Sequence, residues 1–143
     1  MEGASKMCLV EKLAAVEAEI GWTLSSIGFN QRYLVEWHNL TQELVLVSRN
    51  QVVVLYLEVR EGYMDLKYGP LDCLRIEHGT VAGLSYERTK SFRRQLFISD
   101  IKVPGDNAQF YEPGIAESAI KLLLLEGRKR SKEVFGVEDP ALG

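Results

Sequence analysis

The chain carries two histidines, the residue type best suited to general acid-base chemistry near neutral pH or to metal ligation. His38 stands two residues from Glu36 in an alternating segment, so imidazole and carboxylate share one strand face; a third group from elsewhere in the fold would complete an acid-base or metal set there. His78, between Glu77 and Gly79, sits in a turn-like context. Neither belongs to an HxH, HExxH or DxD pattern, so no metal site is written locally and no metal or other cofactor is expected.

Serine chemistry fares no better. Ser99-Asp100-Ile101-Lys102 and Ser118-Ala119-Ile120-Lys121 match the SxxK spacing by which a lysine activates a serine one helical turn away. The first closes an alternating segment, and the second has no companion motif. Gly83-Leu84-Ser85 opens like a nucleophile elbow, but Glu87 takes the place of its closing glycine. The glycines form neither GxGxxG nor GxxxxGK[ST], which leaves no backbone nest for phosphates. Cys8 and Cys73 are far apart and outside any CxxC pair, and both are expected as buried, inert thiols.

Charge is more informative than motifs. Seventeen Lys plus Arg against 20 Asp plus Glu give a net charge of -3, the wrong sign for a protein that tracks a phosphate backbone. Nucleic acid is therefore not expected as a partner, although Tyr86 and Phe92 flank a basic run and are of the type that stacks on bases. That run, Arg88, Lys90, Arg93 and Arg94 with Lys102 beyond it, is predicted to dock an acidic protein partner, because complementary charge steers encounter and sets register. A second cluster, Arg128, Lys129, Arg130 and Lys132, falls at a helix end, where cations complement the helix dipole.

The elements that must position these groups follow from periodicity. Leu9, Leu13, Val16 and Ile20 recur at helical spacing and predict a helix from about Ser5 to Ile20, stopped by Gly21. From Trp22 the period becomes two. Tyr33, Val35 and Trp37 alternate with Leu34, Glu36 and His38, and Leu44 to Val47 continues the sheet after a turn at Asn39. Arg49-Asn50 reads as a two-residue hairpin loop with Asn50 able to take the positive φ of a primed turn. Gln51 to Arg60 is apolar on both faces at its start and belongs mid-sheet, Glu61-Gly62 closes a further hairpin, and Met64, Leu66 and Tyr68 alternate with Tyr63, Asp65 and Lys67.

Residues 70–90 fit a helical turn or a strand equally well. Phe92 to Ile98 reads as a further strand. A last helix is predicted from about Pro113 to Lys132, with Gly127 a place where it could be cut short, and a loose tail from 136. The fold expected for 1–143 is a single α+β domain: an antiparallel sheet of five to six strands, a hairpin meander, with the N-terminal and C-terminal helices packed on one face. If the helices cover one face, Tyr56, Tyr63 and Lys67 lie on the other as an aromatic and charged patch open to a partner or a second subunit.

No apolar run approaches the length of a membrane span, and the acidic, periodic N-terminus is unlike a signal peptide; a cytoplasmic protein is expected. The order helix, hairpin meander, closing helix resembles that of small bacterial immunity proteins that neutralise toxins and of secretion chaperones that dimerise around an unfolded client. The likeness is of element order and transfers no residue. The function expected is accordingly a non-catalytic protein-binding module of the immunity or inhibitor kind. Two alternatives stand beside it: a homodimeric chaperone or adaptor, and a small enzyme or ligand carrier using His38 and Glu36 in a pocket between sheet and helices.

Overall fold

The computed structural model describes residues 8–37, 41–58, 62–105, 112 and 114–138. Among the described residues, four α-helices, α1 (Leu9–Ile20), α2 (Phe92–Ile98), α3 (Ile115–Lys129) and α4 (Ser131–Val134), accompany seven strands. The strands are β1 (Gln31–Trp37), β2 (Thr41–Val47), β3 (Gln51–Glu58), β4 (Tyr63–Pro70), β5 (Leu74–Glu77), β6 (Thr80–Leu84) and β7 (Lys90–Ser91). An antiparallel sheet runs β1-β2-β3-β4-β7, and β5 and β6 form a separate two-stranded sheet. This is the α+β meander that the alternation predicts, with its five strands in the main sheet.

Strand pairing sorts the side chains onto two faces. Cross-strand rows Leu44–Leu55–Leu66 and Leu46–Val53–Tyr68 point toward the helices, where they join Leu9, Leu13 and Val16 of α1 and Ala119, Ile120 and Leu123 of α3 in the main core. The opposite face holds Val45, Val52 and Val54, which pack with Cys73, Leu74, Val81 and Leu84. The β5-β6 hairpin thus forms a third layer. Its loop, His78-Gly79, has φ values of 54° and 76°, the left-handed pair a primed turn requires. The undecided stretch 70–90 resolves as this hairpin between two short 3-10 turns, Leu71–Cys73 and Tyr86–Arg88.

Three local expectations change. Phe92 to Ile98 is a helix, not a strand: Phe92 and Leu96, four apart, suit either period, and the choice is made by Asp65 of β4, whose carboxylate accepts the Arg93 N–H at 2.9 Å, with Ser91 as the cap accepting the Arg94 N–H. The β2-β3 loop at Arg49-Asn50 takes no positive φ; Ser48 Oγ instead accepts the Asn50 and Gln51 N–H groups at 3.2 Å each. The last helix runs straight through Gly127 and breaks at Arg130, short of Lys132. Gly127 is buried, and a Cβ there would stand 3.1 Å from the Phe135 ring, so its place in the helix reflects packing room. Beyond it, Ser131 Oγ donates to the Val137 carbonyl at 2.6 Å and Val137 packs on the core, which ties down the start of the expected loose tail. Pro113 and 139–143 lie outside the described residues.

Candidate protein-binding surface

The β5-β6 hairpin covers only part of its sheet face. Beyond Val45 and Val54 the same face continues into polar rows, Glu43–Tyr56–Asp65 and Thr41–Glu58–Tyr63. Here Lys67 Nζ sits 4.1 Å from the centre of the Tyr56 ring and 4.5 Å from that of Tyr86, an arrangement in which the ring faces hold the ammonium electrostatically. The rings of Tyr63 and Tyr86 lie 6.1 and 6.3 Å from that of Tyr56. Burial, followed by the nearby Tyr63, Glu58 and Glu43, pushes the Tyr56 hydroxyl up to about 12. Burial and the Glu43 carboxylate raise that of Tyr86 as well. Both phenols stay protonated through neutral pH, so the patch offers ring faces and O–H donors.

At the β4-β7 edge this patch opens into a cleft of about 480 Å³. Its floor is Asp65, only 4% exposed. One carboxylate oxygen accepts the Leu66 and Arg93 N–H groups at 2.7 and 2.9 Å, and the other accepts the Ser91 hydroxyl at 2.6 Å. Burial pushes the carboxyl above its ordinary range, against the pull of these donors. Asp65 therefore serves as an anchor that fixes α2 on the sheet edge. What α2 and the segment after it bring to the cleft is cationic and apolar together: Arg94, Lys102, Phe97 and Ile101 line it. Phe97 is 64% exposed and its neighbour Ile98 74%, the two most exposed large apolar side chains among the described residues. Arg93 stacks over Tyr63 with its guanidinium carbon 4.9 Å from the ring centre.

Of the residues expected to bind a partner, Tyr56, Tyr63, Lys67 and Arg93 come together on one face, and Arg94 lies beside them in the cleft. Arg88 and Lys90 do not join them. Arg88 pairs with Asp72 at 2.9 Å below the hairpin, and Lys90, opposite Tyr68 in the ladder, shares the helix face of the sheet. Phe92, a candidate base-stacking ring, is fully buried. The second basic cluster is largely spent within the fold: Arg128 lies over Trp22, Arg130 over Phe92, and Lys129 pairs with Glu126 at 3.1 Å.

The cleft residue Phe97 and the anchor Asp65 were hidden by the strand reading of 92–98. The signal that could have found them is Ser91 followed by Phe92 and Leu96 at helical spacing, a capped helix start. Glu36 is exposed on β1, while His38 lies outside the described residues. Among the described residues no group of His, Cys, Asp and Glu is arranged to hold a metal ion, and no helix is long and apolar enough to cross a membrane. Lys121 of the second SxxK tetrad pairs with Glu19 at 2.7 Å, and His78 forms the hairpin turn. No family model matches the chain, and neither a curated protein nor a solved structure matches it.

Proposed function

We propose that the chain is a protein-binding module that takes an acidic segment of a partner protein, bearing an aromatic or aliphatic anchor, into the cleft beside α2. The observation that carries this reading is the side-by-side exposure of Phe97 and Ile98 with Arg94 and Lys102 on a chain of net charge -3. Exposed apolar groups rimmed by charge mark interaction sites on soluble proteins. Local cations then select an acidic partner against the background of an acidic molecule, which repels wrongly oriented encounters. The adjoining tyrosines and Lys67 extend the surface with donors and ring faces of the kind favoured at interfaces.

The test is affinity capture from the source lysate with quantitative mass spectrometry, run in parallel on the wild type, the pair Arg94→Glu with Lys102→Glu, and Phe97→Ser. An acidic protein held by the wild type and reduced about tenfold or more by either change supports the reading; each lost contact of about 1.4 kcal/mol gives that factor. A partner captured equally by all three overturns it. A second reading, a carrier of a small anionic ligand, draws on the size of the cleft, about 480 Å³, which is within the range of small-molecule sites. Native mass spectrometry of the purified chain tests it: a retained mass lost in Arg94→Glu supports the carrier, and a bare polypeptide mass counts against it.

A further inference from the structure

The sheet has two edges, and they differ. At one, β4 is paired by the short β7 and flanked by α2; at the other, β1 presents a seven-residue strand with no ladder partner on its outer side among the described residues. Such an edge offers a row of backbone donors and acceptors to another chain. β1 is also symmetric in chemistry about its centre. Leu34, at the midpoint of Gln31–Trp37, is 43% exposed, because α1 packs over β2, where the Leu9 N–H donates to Gln42. Arg32 and Glu36 stand two residues to either side of Leu34 on the same face.

We infer that β1 is the seam at which two copies of this chain join, antiparallel and two-fold symmetric about Leu34, into one continuous ten-stranded sheet. In that register Leu34 faces Leu34 of the second copy, and Tyr33 faces Val35. Arg32 faces Glu36 twice over. All seven residues of the strand are paired, and opposite charges directly across an antiparallel ladder are the favourable arrangement. Arg32 meets Glu17 and Ser25 through Nη2, at 3.4 and 3.5 Å, and a guanidinium has five N–H donors to share between such partners. A closed two-fold contact of this kind buries the β1 edge of both copies at once and leaves at the two ends only the β7 edges, each flanked by α2. The seam goes beyond the partner-binding reading: it lies across the sheet from the cleft, so either can fail without the other.

The experiment has two arms. Sedimentation velocity of the wild-type chain up to about 100 μM, a range that captures micromolar association, is expected to show a dimer. Glu36→Arg, which sets Arg against Arg32 at both ends of the seam, shifts it to monomer with unchanged circular dichroism. The second arm uses Leu34→Cys and Glu36→Cys, each with Cys8→Ser to remove the half-buried native thiol. Under mild oxidation Leu34→Cys is expected to give a disulfide-linked dimer, because directly opposed Cβ atoms are about 5 Å apart. Glu36→Cys is expected to stay monomeric on a denaturing gel, its symmetry mate being four residues away along the strand, about 14 Å. A wild-type monomer throughout the range, a dimer indifferent to Glu36→Arg, or equal cross-linking of the two cysteine variants overturns the proposal.

Discussion

The two faces of the main sheet are built on different rules, although neighbouring residues of the same strands supply both. The helix face is apolar from β2 to β4 save for Gln42, which accepts the Leu9 N–H, and is closed by α1, α2 and α3. There the chain satisfies volume. The opposite face is apolar only where β5-β6 covers it, and over the rest it carries Glu43, Tyr56, Lys67 and Asp65 in mutual contact or in one row. There the chain satisfies charge and hydrogen bonds, and it leaves a surface. A substitution on the first face should register in stability, and one at the far end of the second should register in binding.

The sharpest way to break this contrast uses two consecutive residues of β3. Leu55→Ala, in the helix-face core at 1% exposure, is expected to lower unfolding free energy by about 3 kcal/mol in urea titration. Tyr56→Leu, one residue on and facing the other way, is expected to lose about 1 kcal/mol, the scale of the Lys67 contact. Equal losses would show that the tyrosine face is as load-sensitive as the core. Gly127→Val pushes methyl groups into Phe135 on the helix face and should destabilise by about 2 kcal/mol, the overpacking scale.

Asp65 joins the two regimes, since it is a buried carboxylate on the polar face. Replacing it by Ala leaves the Leu66 and Arg93 N–H groups and the Ser91 hydroxyl without their acceptor, an expected loss of about 2 kcal/mol. Asp65→Asn keeps an oxygen for the two N–H groups and an N–H for Ser91, and is expected to fall much closer to wild type. The pH dependence separates the charge from the geometry. Burial raises the Asp65 carboxyl above 3.8, so its contribution to stability is fully present below that value and is lost as pH rises through the folded pKa. Asp65→Asn should therefore flatten the decline on the alkaline side of about pH 4. Glu117 behaves oppositely: the hydrogen bond from Lys12, at 2.8 Å, lowers its pKa below 4.5. Its contribution is present above that pH and lost on acidification, and Lys12→Met should remove that loss. Thermal melts of the three proteins from pH 3 to 7 read both signs.

The smallest stability effect is expected where the binding effect is largest. Arg94→Glu with Lys102→Glu, both exposed at the cleft, should move the unfolding midpoint by no more than about 0.5 kcal/mol, so a loss of partner in the same variant cannot be put down to unfolding.

Period-two alternation from Tyr33 to Tyr68 was enough to lay out β1 to β4, because a sheet with one apolar face reads directly as alternate apolar residues. It was also enough to bring Tyr56, Tyr63 and Lys67 to the face away from the helices. The helical stripe Leu9, Leu13, Val16 was equally legible. Phe92 to Ile98 was not, since apolar residues four apart fit both periods, and only a carboxylate arriving from β4 chose the helix. With that helix came the cleft, and Phe97 with it. Arg88, Lys90, Arg93 and Arg94, one run in sequence, were sent to different places because a tight turn, an edge strand and a helix start divide them. Local periodicity is a property of the chain alone; which capping group, ring or edge a residue meets depends on segments distant in sequence, and that is decided only when the layers close.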